Sequence, residues 1–577
     1  MFQDLHKFEK HFFTVLALAL VLFYAFSAVL FPAATQYHRG VYVLITYIAV
    51  FLIYRSKSTP MRVLDYILMA LSVVTIVYWI MNFESINYRA GAETMMDKYM
   101  ALVGVLLGIE IARRAVGTVF VIIGVIMLVY GVYGEYMPDL IAHPGDSFLN
   151  ICVNIFFRED GVFGIMANVL ATYVLLFVLF GAFLEKSGAQ RFFIDFPLAA
   201  VGHKTGGPAK VAVIASALFG SISGSAIANT VSTGAFTIPL MKKAGFKNHI
   251  AGAIEPAASI GGMFMPPIMG AGGFIMSELT GIPYSKIMVI ALFPAFMYFF
   301  SVFVMVHYEA KRFNITGEKS AVNAMQIFKK EWYYILPLVV ITVLMLFGFS
   351  AGFAAVMGIV ACIVVSYFNK ETRITPSKFL DAARLGTESS LKIGATVGII
   401  GIIISMLTFS GLILTFADIV IQLADGNLIL TILLIAFASL VLGMGVPVTA
   451  AYLITAVVAV PALTHLGVNE LAAHMIVYWL SQDSNITPPV CIAAFAGATI
   501  AEAPIWKTAF SAFKFAKFLY LAPFLFGYVP GFTLQGDTWD IVKAFVFILI
   551  GTYLYSYFLS FAWIPKVKTL FGKKAVV

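Results

Sequence analysis

The stretch Gly220-Ser221-Ile222-Ser223-Gly224-Ser225 lies near the middle of 31 consecutive residues without a formal charge, between Lys210 and Lys242. As one straight helix these residues would extend about 46 Å, which exceeds a hydrocarbon core of about 30 Å. Two complete spans would need about 40 residues and a turn. Lysines at both ends indicate that both ends lie on the cytoplasmic side. We therefore expect a re-entrant helical hairpin over 207–243, with the quoted residues at its tip.

A broken helix is predicted directly after this hairpin, over 248–281. Between 248 and 277 the only residue with a formal charge is Glu255. The helix is interrupted by the string Gly261-Gly262-Met263-Phe264-Met265-Pro266-Pro267. Two prolines remove backbone donors and leave the carbonyls before them without partners. Irregular backbone at membrane depth is tolerated only where it is buried in protein or lines a watery cavity. The break is therefore a candidate binding site.

The same two features recur later in the chain. Between Asp425 and Glu470 lie 44 uncharged residues, interrupted at Gly443-Met444-Gly445-Val446-Pro447, which predicts a second hairpin over 427–465. This hairpin has neither Lys nor Arg at its ends, so we expect it to enter from the opposite side.

A second broken helix, over 471–501, follows that hairpin. It has one acid, Asp483, and the string Asn485-Ile486-Thr487-Pro488-Pro489. Each hairpin glycine is followed at nearly the same distance by the first proline of the break. The interval is 46 residues from Gly220 to Pro266 and 45 residues from Gly443 to Pro488. Equal order and opposite orientation predict an inverted repeat of two hairpins and two broken helices in an all-α polytopic membrane protein.

The composition agrees with this class. Of 577 residues, 61% are apolar and 11% are charged, whereas soluble proteins have about 25% charged residues. A soluble enzyme is therefore excluded. The net charge of +8 resides in short loops between apolar runs, which indicates membrane topology and not a nucleic-acid partner. The three cysteines are far apart and predict neither a disulfide framework nor a metal site.

Charge also divides the chain. Residues 1–135 contain ordinary apolar runs, beginning with an uncleaved first helix whose N-terminus is cytoplasmic, and 136–160 form an acidic periplasmic linker. The first half of the repeat then covers 161–369 and the second half 370–577, with a cytoplasmic C-terminus. Cytoplasmic loops are marked by basic residues in 307–331, which include Lys319, and in 369–392. Lys57 marks another cytoplasmic loop earlier in the chain. Apolar residues of 369–392 at helical spacing predict a helix lying along the membrane surface, although a plain linker is an alternative.

Small polar residues cluster at both tips and both breaks. The N-terminal ends of half-helices there favour anions, and free carbonyls favour cations. The alternative is that they only allow close helix packing. Glu255 and Asp483 are intramembrane acids of the kind that carries protons or binds cations, although Glu255 could instead reach the cytoplasm or form a salt bridge. The candidate residues are Ser221, Ser223, Gly224, Ser225, Asn229, Thr230, Glu255, Ser259, Gly261, Pro266, Gly443, Gly445, Pro447, Thr449, Asp483, Ser484, Asn485, Thr487 and Pro488.

The tip sequence Phe219–Thr230, followed by Gly252-Ala253-Ile254-Glu255-Pro256 and Met265-Pro266-Pro267, resembles the membrane component of TRAP transporters, most closely the TAXI type. The resemblance implies a small membrane subunit and connecting helix over 1–135, fused to the large subunit. It also implies elevator-type uptake of organic anions (C4-dicarboxylate, 2-oxoglutarate or glutamate) across the bacterial inner membrane, with a separate periplasmic TAXI-type binding protein, no ATPase subunit and usually sodium coupling. The sodium candidates are Ser223, Ser225, Asn229, Ser484, Asn485 and Thr487.

Alternatives to this interpretation remain open in the sequence. A channel could use the same hairpins without a binding protein, and a proton could replace sodium if Glu255 or Asp483 titrates. A membrane-embedded enzyme is disfavoured because the chain has no P-loop, no H-E-x-x-H and no G-x-S-x-G motif. No organic cofactor is predicted. The hairpins and broken helices are also expected to bind an anion without a positively charged side chain, because residues 211–241, 248–281 and 427–501 contain no Lys or Arg.

Overall fold

The computed structural model describes residues 2–56, 58–317 and 323–561, and within them the protein is all-helical. Nine helical segments among these residues are long and apolar enough to cross a membrane. The predicted all-α class is thereby confirmed. The charge assignments of Lys57 and Lys319 and the location of the C-terminus concern residues outside the described ranges.

The N-terminal region is a set of helices tied together by polar contacts at their ends. Asp97, in the first turn of the fourth helix, accepts hydrogen bonds from Arg89 Nε at 2.8 Å and from the Tyr78 hydroxyl at 2.7 Å. These contacts fasten the third helix to the fourth. The helices are α1 (Lys7–Val29), α2 (Thr35–Ile53), α3 (Thr59–Tyr88), α4 (Met95–Ala115), α5 (Thr118–Val132) and α6 (Phe148–Phe157).

Helix α6 lies within the segment that the sequence predicts to be a linker, 136–160. Its residues Ile151, Cys152 and Phe156 are fully buried, and the helix packs against α4. The Phe156 ring occupies the space beside Gly104 where a Cβ would otherwise lie. The acids around the helix led to the linker interpretation, but the short apolar run between them forms part of the core.

The first half of the repeat contains the first hairpin and the first broken helix. A single π-helical turn, Leu170–Val174, separates its first two helices. The helices are α7 (Ile165–Val169), α8 (Leu175–Lys186), α9 (Ala189–Val201), α10 (Gly207–Ser223), α11 (Ala226–Lys243), α12 (Asn248–Gly261), α13 (Gly270–Thr280), α14 (Tyr284–Arg312), α15 (Ala324–Glu331), α16 (Leu336–Leu346) and α17 (Ala351–Ser366).

The second half begins with a helix in the basic segment 369–392, which packs against α8 and is joined with the helix that follows it in one candidate membrane span, Pro376–Ser410. Its position along the membrane surface stays a prediction. The helices are α18 (Pro376–Gly394), α19 (Val397–Ser410), α20 (Leu412–Leu423), α21 (Leu428–Gly443), α22 (Val448–His465), α23 (Glu470–Leu480), α24 (Ile492–Ala501), α25 (Ile505–Phe515), α26 (Phe518–Tyr528) and α27 (Thr538–Leu559).

The predicted hairpins and broken helices are present as α10–α11 with α12–α13, and as α21–α22 with α23–α24. The two breaks have matching backbones. Each contains a cis Pro-Pro bond, at Pro266–Pro267 and at Pro488–Pro489. Two residues after this bond, each break has a non-glycine residue with positive φ, which is Met269 in the first and Cys491 in the second. The next helix begins directly after that residue. The two breaks thus follow one backbone pattern, as an inverted repeat requires.

The helices form two groups by their packing. In the repeat group, α10–α14 pack with α21–α26, and α12 lies against both α24 and α25. In the frame group, α1–α6 pack around α8 and α16–α19. The candidate residues predicted from the sequence all belong to the repeat group or its breaks. The N-terminal helices belong to the frame group.

Candidate functional site

The first hairpin turns within two residues. Helix α10 ends at Ser223, Gly224 adopts a left-handed conformation with φ of 63°, and Ser225 caps α11 by accepting a hydrogen bond from the Ala228 amide. Glycine is favoured at such a helix end because it has no Cβ to strain. The tip therefore brings the carbonyl end of one helix and the amide end of the next to one place.

The second hairpin has a wider tip. Helix α21 ends at Gly443 and α22 begins at Val448, with Pro447 directly before it. Gly445 of this tip lies against Val119 of the frame group. The tip therefore sits at the boundary between the two groups of helices.

Each hairpin contacts its broken helix through a glycine. In the first half, Gly220 and Gly262 touch backbone to backbone, and a Cβ on Gly262 would lie 2.5 Å from the Gly220 carbonyl carbon. In the second half, a Cβ on Gly443 would lie 2.5 Å from Ser484 Cβ. Gly262 and Ser484 occupy the same place in their breaks, four residues before the first proline. Close approach without a side chain explains why the sequence has glycine near both tips.

The first break is held by two tyrosines, one from each half of the repeat. The buried Tyr478 hydroxyl of α23 donates to either of two break carbonyls, Met263 O at 2.7 Å and Met269 O at 2.6 Å. From α14, the Tyr284 hydroxyl lies 2.9 Å from Pro267 O. Carbonyls freed by the break are thus given donors, as buried backbone groups require.

A cavity of about 320 Å³ lies where both tips and both breaks meet. Its lining includes small polar groups on an otherwise apolar surface, the composition expected of a small-molecule site. Seven of the residues predicted from the sequence line it, namely Gly224, Ser225, Gly445, Pro447, Thr449, Ser484 and Asn485.

A second cavity of about 450 Å³ lies on the other side of the first tip. It is lined by Ser223, Gly224 and Ser225 of the tip, and it extends beside α8 to Glu185 at the end of that helix. The two cavities share Gly224 and Ser225 of the tip together with Lys392 and Ile393 of the segment at the end of α18.

Other predicted residues lie behind the cavity lining. Ser221 and Thr230 are buried, and their hydroxyls donate to carbonyls of their own helices. Gly261 packs against the rings of Tyr298 and Phe299. Thr487 is hydrogen-bonded to the Tyr520 hydroxyl at 2.7 Å. Those outside the lining of both cavities are Ser221, Asn229, Thr230, Glu255, Ser259, Gly261, Pro266, Gly443, Asp483, Thr487 and Pro488.

Two of these buried residues have oxygens without a hydrogen-bond partner among the described residues. They are Asn229 Oδ1 and Asp483 Oδ1. Asn229 contacts Gly220 and so belongs to the first tip contact. Asp483 directly precedes Ser484 at the second. Unpaired buried oxygens are costly unless something satisfies them, and hydroxyl, amide and carboxylate oxygens suit an alkali cation.

Glu255 lies elsewhere in the first half. It is fully buried in α12, two turns before the break, and accepts hydrogen bonds from Ser216 on α10 and from Thr233 and Thr237 on α11. Because its side chain is fully buried and forms no ion pair with any residue that the structure describes, Glu255 neither reaches the cytoplasm nor joins a salt bridge within those residues. Asp483 is in the second break itself, so the two acids are not equivalent positions of the repeat.

Two polar residues of the 320 Å³ cavity were missed from the sequence, Gln482 and Lys392. Gln482 stands within the polar string 481–485, and that string was a usable signal. Lys392 is in the basic segment 369–392, where it was attributed to topology. No pattern in the sequence indicates that α18 passes beside the first hairpin tip.

Comparisons with known proteins agree with this architecture. Residues 103–532 match the family model described as "Tripartite ATP-independent periplasmic transporter, DctM component". The matched range includes both hairpins, both broken helices and α18. It begins within α4, so the first three helices lie outside it.

Several curated proteins are similar over much of their length. The 2,3-diketo-L-gulonate TRAP transporter large permease protein of Escherichia coli is 25% identical, over 63% of this chain and 85% of that protein. The C4-dicarboxylate TRAP transporter large permease protein of Pseudomonas aeruginosa is 24% identical, over 67% and 92%. The sialic acid TRAP transporter permease protein of Haemophilus influenzae is 23% identical, over 57% and 53%.

Among solved structures, the YdaH transporter of Alcanivorax borkumensis aligns with a TM-score of 0.45 at 16% sequence identity. The alignment covers 78% of this chain and 98% of that one.

Proposed function

Because the chain belongs to the DctM-component family of tripartite ATP-independent periplasmic transporters, we propose that it takes up organic anions by secondary active transport. The family consists of multi-pass membrane permeases that work with a periplasmic substrate-binding protein, and the chain is a transporter and not an enzyme. The observation that supports a solute site is the 320 Å³ cavity between both tips and both breaks. Half-helix ends converge there, as in other inverted-repeat transporters.

The proposed substrates are small carboxylates of the C4-dicarboxylate, 2-oxoglutarate or glutamate class. The similar permeases are named for 2,3-diketo-L-gulonate, C4-dicarboxylates and sialic acid, each of which carries a carboxylate. The amide end of α11 at the first tip is a site where backbone N–H groups favour an anion. The cavity volume suits such a solute.

An elevator mechanism is the proposed motion. The repeat group would move with its cavity relative to the frame group, which includes the N-terminal helices. This division supports the further proposal that residues 1–135 correspond to a small subunit with its connecting helix, fused to the large subunit as in the TAXI type. We also propose a location in the bacterial inner membrane with a cytoplasmic N-terminus, and a TAXI-type binding protein as the partner.

Uptake is expected to require that binding protein. In liposomes that contain the purified full chain without a binding protein, an imposed ion gradient should give negligible uptake of succinate, 2-oxoglutarate or glutamate. Adding the cognate binding protein loaded with its anion should give rapid uptake. The control is binding protein with empty liposomes. Rapid and saturable uptake by the membrane protein alone would contradict the proposal, and non-saturating current would favour a channel.

Sodium is the proposed coupling ion, with a proton as the alternative. The unpaired oxygens of Asn229 and Asp483 support a cation near each tip contact, and neutral oxygens together with one carboxylate would hold sodium there. For the alternative, Glu255 or Asp483 would carry the proton across. The chemistry that a bound cation supplies is charge compensation for the anionic solute.

Neutral substitutions separate these two ions. Glu255→Gln and Asp483→Asn should weaken uptake but leave it driven by a sodium gradient, because sodium can still bind the remaining oxygens. The measurement is initial uptake rate with sodium and pH gradients imposed separately. A rate driven by the pH gradient in sodium-free buffer, and abolished by either substitution, would overturn sodium coupling in favour of the proton.

A further inference from the structure

One side chain gives the central cavity a positive charge, and it comes from outside the repeat group. Among the residues lining the 320 Å³ cavity, Lys392 alone carries a formal charge. It also lines the 450 Å³ cavity, on the other side of the first tip. Its side chain is exposed and makes no hydrogen bond or ion pair with any described residue. An unpaired ammonium group at the junction of two cavities is available to a ligand.

The surroundings of Lys392 favour an anion over a structural role. Opposite it are the tip residues Gly224 and Ser225 and the polar residues Gln482, Ser484 and Asn485, none of which is charged. Glu185 lines the second cavity only, beyond the tip, and pairs loosely with Lys186 at 3.6 Å. In a cavity with apolar walls a single ammonium group attracts a carboxylate more strongly than it does in bulk water.

Lys392 belongs to the frame group. It is near the end of α18, which packs mainly against α8, α1 and α2. The tip at Gly224–Ser225 belongs to the repeat group. If the two groups move relative to each other, as the proposed elevator mechanism requires, a solute held by the tips leaves the vicinity of Lys392 when the repeat group moves.

We propose that Lys392 is an anion-binding residue that contacts the transported carboxylate in only one of the two end positions of the transporter, the one in which the first hairpin tip faces α18. This inference rests on the proposed function and names the charge that recognises its substrate class. Lys392 lowers the free energy of the loaded site in that position alone, so the anion affinity differs between the two sides of the membrane.

The test measures transport kinetics from each side. Liposomes containing the full chain are assayed with succinate, 2-oxoglutarate and glutamate, both for uptake with the binding protein and for exchange from inside. Lys392→Gln should raise the half-saturating concentration on one side by about tenfold to a hundredfold and leave the other side unchanged. Lys392→Arg should stay close to the wild type. The matched control is Lys378→Gln on the same helix, outside both cavities, which should have no effect.

Charge rescue covers the case in which Lys392→Gln disturbs folding. Lys392→Cys treated with 2-aminoethyl methanethiosulfonate regains a positive charge and should recover the affinity, whereas the 2-sulfonatoethyl reagent should not restore it. The native Cys152, Cys362 and Cys491 are buried, and untreated and treated wild-type protein provide the background.

Three results would overturn the inference. They are unchanged half-saturation in Lys392→Gln, an equal rise on both sides, and an equal effect of Lys378→Gln. If the wild type transports none of the three anions, the proposed function itself fails and this inference fails with it. If the wild type transports one of them and the Lys392 variants match it, the proposed function stands and only this inference fails.

Discussion

Gly262→Ala is expected to abolish uptake and to lower the free energy of unfolding by about 1–3 kcal/mol, the usual cost of overpacking a close contact. The added methyl group would lie 2.5 Å from the Gly220 carbonyl carbon. Both partners are backbone, so neither can rotate away. The hairpin tip and the break must therefore separate, which displaces Gly224 and Ser225 at the cavity. Thermal unfolding and liposome uptake of the same preparation measure the two effects.

Two further variants test this explanation. Gly551→Ala in α27 places a methyl group where nothing lies within 4 Å, and it should leave both quantities at wild-type values or slightly raise stability. In the second half, Gly443→Ala should be destabilising because it meets Ser484 Cβ, and Ser484→Gly in the same chain should restore the melting temperature. Wild-type uptake by Gly262→Ala, or no rescue by Ser484→Gly, would show that these contacts do not set the tip position.

Tyr478→Phe is the second substitution with a large expected effect. The change keeps the ring but removes the hydroxyl that donates to Met263 O or Met269 O, two carbonyls within the first break. An unsatisfied buried carbonyl costs about 1–3 kcal/mol. The break also loses its hydrogen bonds from α23, while the stacking of Phe264 on Trp479 remains, so the two halves of the repeat hold their relative position less firmly. We expect a lower melting temperature together with at least a severalfold lower maximal uptake rate.

Tyr452→Phe is the matched control for this variant. Tyr452 is equally buried, but its hydroxyl is hydrogen-bonded to His474 Nδ1 at 3.0 Å and not to a break carbonyl. It should lose some stability and keep its maximal uptake rate. Equal loss of uptake in both variants would mean that the break needs no particular support from Tyr478.

The hairpins and breaks could be predicted because their causes are local in sequence. Charged residues bound each uncharged stretch, and glycine, serine and proline occur where a helix in the membrane cannot continue. The ends of α10, α11, α21 and α22 follow from these signals. The failure at α6 has the same origin, because the acids around it resemble a loop while its ten residues are too few to be recognised as a span.

The cavity itself could be predicted only in part. Ser225, Ser484 and Asn485 carry signals in their own segments, so their convergence followed from the repeat. Lys392 had no such signal, since its place beside the tip depends on how α18 packs against α8. The surroundings of Glu255 were also missed, because its three hydroxyl partners come from α10 and α11, and pairing between helices is a tertiary property.

The Gly262 and Ser484 positions have a consequence for the direction of transport. A protein with two identical halves would offer the same groups to a solute from either side of the membrane, and its affinity would be the same in both directions. Here the backbone of the breaks is repeated, but a bare glycine stands in one copy and a hydroxyl at the cavity in the other. The two faces of the site are therefore chemically distinct, and loading and release are free to evolve separate affinities on a common scaffold.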